Sequence, residues 1–199
     1  MKKHIRLEDI GKIGNQRVPV AAGKLLVSEP FMFDQNFGRS VILLCEHTLE
    51  GTVGFILNKP TEVTVNDAIE DFPEFDGNLY YGGPVQTNSL HFIHTLGDKI
   101  PGSLEVVKGI YWGGDFEVLK LLIDTKQIRN DQVRFYAGYS GWEPNQLKKE
   151  LKEKTWIIAD VNSQYPFAED PLHLWRDVLK GMDEQFSVMS NFPEDPSLN

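Results

Sequence analysis

Two strand-like runs four residues apart, Val41-Ile-Leu-Leu-Cys-Glu-His47 and Thr52-Val-Gly-Phe-Ile-Leu-Asn58, dictate a β-hairpin at the centre of whatever this chain folds into. The first run is apolar from Val41 through Cys45. An alternating strand buries one face only, so an unbroken apolar run demands cover on both faces and a central place in a sheet. Straight pairing across Thr48-Leu-Glu-Gly51 sets His47 opposite Thr52, Cys45 opposite Gly54 and Val41 opposite Asn58. Gly54, inside the second strand, predicts a bulge or the close approach of another backbone.

Further strands are expected at Ala22–Ser28, Asn78–Tyr81, His91–Leu96, Leu104–Trp112 with a break near Gly109, Gln132–Tyr139 and Trp156–Ala159. Capping residues mark four helices between them. Thr64 with Asp67 three residues on forms a capping-box start, and Asp115 caps a stripe of Val118, Leu119, Leu122 and Ile123. Glu143-Pro144 opens a third helix with Leu147 and Leu151 inward, and Asp170-Pro171 opens a fourth that stops at Gly181. Seven to nine strands in runs, not in strict alternation with helices, favour an α+β fold with a mixed, rolled sheet over a doubly wound one. Residues 1–20 are polar and read as an arm, and residues 21–199 as a single domain. A chain of 199 residues that is 41% hydrophobic is long enough to bury its own core.

Charge and cysteine usage bound the function. With 29 acidic and 20 basic residues the net charge is -9, which repels polyanions and disfavours direct DNA binding. The densest basic stretch, Lys148 to Lys154, is interleaved with Glu150 and Glu153 and reads as a solvated helix face. Cys45 is the only cysteine, so no internal disulfide forms, and a buried, inert thiol in the cytoplasm is expected. No apolar run reaches the ~18 residues a membrane span needs, and Leu7-Glu-Asp9 follows the basic start where a signal peptide would turn apolar.

Several polar constellations invite chemistry. Glu46-His47 offers an acid and a base, but it lies at the loop end of the hairpin, roughly 20 Å from Asn58-Lys59-Pro60 at about 3.3 Å per residue. Pro60 forces Lys59 into extended backbone, so Asn58-Lys59 leaves its strand in a defined direction and forms a candidate anion or partner surface. Tyr81-Gly-Gly-Pro84 is a turn whose backbone N–H groups at Gly82 and Gly83 extend that candidate surface as an anion nest. His91 and His94, three apart, would share a helix face, yet their surroundings read as strand, which splits them across the sheet. Gly138-Tyr-Ser-Gly-Trp142 approaches a nucleophile elbow, with Ser140 in a glycine-marked turn between strand and helix and with His173 and Asp160 or Asp170 downstream. It lacks the final glycine of that motif. No phosphate loop, dinucleotide fingerprint or H-E-x-x-H occurs, and neither a cofactor nor a metal is expected.

Taken in order, Cys45-Glu-His47, Gly54-Phe-Ile-Leu-Asn-Lys-Pro60, Gly82-Gly-Pro-Val85, Phe92-Ile-His-Thr95 and Gly138-Tyr-Ser-Gly-Trp142 followed by Gln146-Leu147 resemble the AlgH/YqgE family of small bacterial proteins. The likeness runs from about Gly23 to Trp175. It implies a single α+β domain with a bifurcated, partly barrel-like mixed sheet ringed by helices, in a bacterial cytoplasmic protein. Members are commonly labelled transcriptional regulators, and the family lends no catalytic residue, since position 140 is often Ala. The expectation is a non-catalytic regulator or interaction protein acting through a protein or small-anion partner at Asn58, Lys59, Gly82 and Gly83. The alternative is a hydrolase using Ser140 or His47.

Overall fold

A computed structural model describes residues 19–193, so the expected arm lies almost wholly outside the described residues. The fold is α+β: a strongly curled ten-stranded sheet, antiparallel but for one pair, with five helices among the described residues. The strands are β1 (Lys24–Ser28), β2 (Val41–His47), β3 (Thr52–Ile56), β4 (Pro60–Thr64), β5 (Asn78–Tyr81), β6 (Val85–His94), β7 (Leu104–Val107), β8 (Ile110–Trp112), β9 (Val133–Trp142) and β10 (Trp156–Asp160). The helices are α1 (Val65–Ala68), α2 (Phe116–Asp124), α3 (Gln146–Lys152), α4 (Leu174–Lys180) and α5 (Glu184–Met189).

Order across the sheet is β10-β1-β2-β3-β9-β6-β8-β7, with β4 and β5 on a side branch. The branch point is β9. Its C-terminal half pairs with β3 from Gly54↔Ser140 to Thr52↔Trp142, its N-terminal half pairs in parallel with β5 at Tyr80↔Tyr136, and its other edge pairs with β6. Gly82 sits in the fork between β3 and β5, where its N–H donates to the Ala137 carbonyl at 2.9 Å and its carbonyl accepts from Ile56 N–H at 3.0 Å. A Cβ on Gly82 would stand 2.2 Å from the Gly138 carbonyl oxygen, and Gly138 itself has φ +65°. Only glycine allows that approach and that conformation.

The hairpin is central, as the apolar run requires. Val41 and Leu43 point into the curl with Phe55, Tyr136 and Trp175, while Ile42 and Leu44 pack outward with Ile56, Leu147 and Trp156. His47 faces Thr52 as straight pairing requires, but the register shifts by one beyond Glu46. Leu44 faces Gly54 and Glu46 faces Val53, so Cys45 is the extra residue of a bulge, and the remainder of β2 shifts by one. Gly54 thus marks a bulge carried by its partner strand. Cys45 is buried, and burial pushes its thiol pKa far up, which leaves it unreactive. Helices α4 and α5 close the inner cluster with Leu174, Trp175, Val178 and Phe186, and a separate cluster under α1 and α2 holds Phe72, Leu119, Phe92 and Phe135.

Caps hold where they were expected at Thr64 and Asp115. Other element boundaries do not, and β6 begins at Val85, six residues before the expected His91. Strand β9 runs on to Trp142, so Ser140 is inside a strand, not in a turn, and Glu143-Pro144-Asn145 becomes a turn closed by Gln146 N–H on the Glu143 carbonyl at 3.0 Å. Asp170-Pro171 starts a single 3-10 turn ahead of α4. Strand β4 has one clearly apolar position, Val63, and helix α5 spans only six residues, too short for a helical period to show, so ten strands and five helices replace the expected numbers.

Removing buried apolar volume at Leu43→Ala should cost about 2–5 kcal/mol in urea unfolding. Gly82→Ala should cost as much or more, because two backbones must part. Gly109→Ala meets nothing within 4 Å at φ +79° and should cost only the left-handed penalty of about 1–2 kcal/mol. Equal losses at both glycines would contradict the fork geometry.

Candidate functional site

The four residues of the expected anion surface do not form one open face. Asn58 is only 6% exposed: its Oδ1 accepts from Val41 N–H at 2.8 Å and its Nδ2 donates to the Arg39 carbonyl at 2.8 Å, so the amide extends the β2–β3 ladder. Lys59 turns back onto the loop preceding β2, where Nζ donates to the Asn36 carbonyl at 2.6 Å and the Gln35 carbonyl at 3.4 Å. Burial lowers the Lys59 pKa, and Asp34 nearby opposes that shift. The same loop is held by Tyr81 O–H donating to Asn36 Oδ1 at 2.9 Å and by Phe37 packing 5.5 Å from Trp156. Gly82 and Gly83 are buried in the fork.

The groups suspected of chemistry are likewise committed. Ser140 is wholly buried and donates to the Gly82 carbonyl at 3.0 Å. His47 Nδ1 bonds Thr52 Oγ1 at 2.7 Å at the loop end of the hairpin, and Glu46 beside it is exposed. His173 pairs with Asp170 at 2.6 Å, and no hydrogen bond joins either to Ser140. His91 and His94 are split: His91 packs on Phe55 and Tyr139, His94 on Phe92 and Tyr111. Among the described residues no group of three or more His, Cys, Asp or Glu side chains is placed to hold a metal ion.

An open cleft that the sequence did not announce lies beside β6. It encloses about 510 Å³ and is walled by Leu90, Phe92, Leu104, Trp112 and Phe116, with His91 at its side. Its origin is local. Strand β8 pairs with β6 only at Ile93 and His94, and the last backbone bond is Gly113 N–H to the Phe92 carbonyl at 3.0 Å. Gly113 and Gly114, at φ +68° and +109°, then turn the chain away, leaving Leu90 and His91 with no strand on that side among the described residues. A Trp-Gly-Gly run ending a strand was the available signal.

Hydrogen-bond direction places a proton on Nε2 of both imidazoles and, at His94, fixes the ring as neutral. Ser89 Oγ contacts the Gln86 carbonyl at 2.7 Å, which can only accept, so Ser89 donates there and accepts from His91 Nε2–H at 2.9 Å. His94 Nδ1 accepts from Leu96 N–H at 3.2 Å, so its proton is on Nε2, which donates to the Gly113 carbonyl at 3.0 Å. Burial lowers both pKa values, with the Gly113 carbonyl partly opposing at His94. Ser103 Oγ donates to the Ile100 carbonyl at 2.7 Å and lies 3.0 Å from the same His94 Nε2, so neither Ser89 nor Ser103 is activated by its histidine, which is the donor.

This arrangement sets a pH dependence. Above the unfolded histidine pKa of about 6.5 both rings are neutral folded or unfolded, and their contribution to stability is complete. As the pH falls through that value the unfolded chain takes up protons that the folded chain refuses, so stability declines until the folded pKa values are passed. Urea unfolding at about pH 7 and about pH 5 should show that loss, at most about 1.4 kcal/mol per pH unit for each group. His94→Gln should be less stable at neutral pH and lose less on acidification; an unchanged slope would remove His94 from the account.

Over 178 residues the chain is 46% identical to a UPF0301 protein of Cytophaga hutchinsonii, covering 89% of this chain and 98% of that one. It is 43% identical over 192 residues to a UPF0301 protein of Bacteroides fragilis, covering 96% and 97%. The solution structure of AlgH from Pseudomonas aeruginosa superposes with a TM-score of 0.67 at 25% identity, over 90% of this chain and 98% of that one. A Corynebacterium diphtheriae protein seen by crystallography gives 0.73 at 25% identity, over 88% and 94%. Residues 25–187 match the AlgH-like family as a whole, and this chain belongs to that family.

Proposed function

We propose that the protein acts by binding, as a non-catalytic regulator or interaction protein whose partner is an extended, apolar segment of another protein laid along the β6 cleft. The carrying observation is the pairing of two features in one place. Backbone of β6 at Leu90 and His91 has no neighbouring strand on the cleft side among the described residues, and Leu104, Trp112 and Phe116 wall the space beside it. An added strand takes main-chain hydrogen bonds from such an edge and seats alternate side chains in such a cleft. Leu104 is 59% exposed, a large apolar surface at the point where a partner would enter.

Supporting the absence of catalysis in this reading, every serine and histidine weighed as a nucleophile or base spends its donor or acceptor on a neighbour, and the single thiol is buried. In this reading Asn58, Lys59, Gly82 and Gly83 serve partner binding through the scaffold, by fixing the hairpin and the fork. A regulator of this charge works through a protein and not through DNA, because phosphate contact needs a positive face and the chain carries -9.

A partner trapped by photocrosslinking from a benzophenone residue at position 104, then made pure, should bind about tenfold more weakly to Leu104→Glu. Leu121→Glu, an exposed apolar control on α2, should bind like the parent. Equal affinity for both variants would sink the cleft. Turnover of an ester or peptide substrate that disappears in Ser140→Ala or His47→Ala at unchanged thermal stability would sink the non-catalytic reading.

A further inference from the structure

On the inner face of the curled sheet, two polar groups of β9 lie opposite His91 and Ile93 of β6. Arg134 and Tyr136 are two residues apart on one strand and so share a face, while Val133 and Phe135 between and beside them enter the other cluster. The Arg134 guanidinium lies 4.4 Å over the Tyr80 ring and 6.0 Å from the Phe167 ring. Tyr80 is paired with Tyr136 across the parallel ladder, their rings 5.9 Å apart, and Phe55 is 5.3 Å from the Tyr136 ring. Aromatic faces therefore hold the guanidinium plane and leave its edge to hydrogen bonds.

Only part of that edge is used within the chain. Arg134 Nη2 donates to the Ala168 carbonyl at 3.1 Å. Arg134 Nη1 and the Tyr136 hydroxyl are both screened from solvent and neither has a hydrogen-bond partner. Tyr136 is wholly buried, and Arg134 forms no ion pair with an acidic side chain among the described residues. The guanidinium is near enough to favour the Tyr136 phenolate against the larger effect of burial. Buried donors without acceptors are costly, and more so where charge is involved. A cation and a hydroxyl left open on one face thus point to a missing acceptor.

We propose that Arg134 and Tyr136 form an oxyanion-binding site, in which one oxygen of a carboxylate or phosphate accepts from Arg134 Nη1 and from the Tyr136 hydroxyl. A water molecule is the poorer occupant, because it would accept both bonds and leave the guanidinium charge unbalanced. An oxyanion brings acceptors only, and its charge balances the guanidinium. Arg134 is half-buried near the start of β9, so the anion enters from that end while Tyr136 receives it deeper. None of the cleft-lining residues takes part, so this site and the partner-binding reading stand or fall separately.

The test is titration of the purified full-length protein with inorganic phosphate and, separately, with acetate, against chloride at matched ionic strength, read by calorimetry and melting temperature. Saturable binding with a raised melting temperature is expected for at least one of the two, and the preferred one identifies the anion class. Tyr136→Phe removes one hydroxyl and no volume of consequence. It should weaken that binding about tenfold while the unligated melting temperature stays level or rises, since an unmatched donor has been removed. Arg134→Gln should abolish the binding. Responses no larger than with chloride, or a Tyr136→Phe variant that binds as tightly as the parent, would overturn the site. So would a crystal grown in phosphate with only water between the two donors.

Discussion

At the fork of the sheet two backbones run closer than any side chain permits, and the rest of the architecture hangs from that approach. Gly82 lies against the Gly138 carbonyl, and its own carbonyl collects both Ile56 N–H and the Ser140 hydroxyl. That single peptide lets β9 take β3 along one half and β5 along the other. A strand that must serve two partners on one edge has to twist, and the twist curls the sheet. The inner face becomes the lining that α4 and α5 cover, and the far edge of β6 is carried round to where β8 falls short.

Polar residues in this chain mostly finish backbone hydrogen bonding that the curled sheet leaves undone. Asn58 completes a ladder, Lys59 collects two loop carbonyls, Ser140 meets the fork and His94 caps one backbone N–H and one carbonyl. Each resembles a reactive group in sequence because the same trait serves both roles: a polar side chain set at the end of, or inside, an apolar run. Burial of unmatched backbone groups is costly, so these positions are filled for stability first.

Much of the fold was legible and little of the site. The unbroken run at Val41–Cys45 fixed a central strand because no other placement buries both faces, and the caps at Thr64 and Asp115 act through neighbours in sequence. The errors share a cause, which is that partners distant in sequence override a local signal. A bulge at Cys45 is invisible until β3 is laid against β2, and the Gly138-to-Trp142 segment looks like a turn until β3 and the Gly82 fork extend it as a strand. The cleft arises from where β8 stops, a property of pairing length. The Arg134–Tyr136 pair does follow the two-residue alternation of a strand, but only the structure shows that both donors lack acceptors.

The pairing of β1 with β10 has a consequence for how the chain is made. Lys24 and Asp160, joined at the end of that ladder, are 136 residues apart, so during synthesis β1 can dock on β2 long before its outer neighbour has left the ribosome. Through that interval Leu25, Leu26 and Val27 form an apolar edge strand open to any other nascent chain. Lys24 is the one charge on it. A gatekeeper while the edge is bare, it becomes half of an ion pair once the last strand arrives.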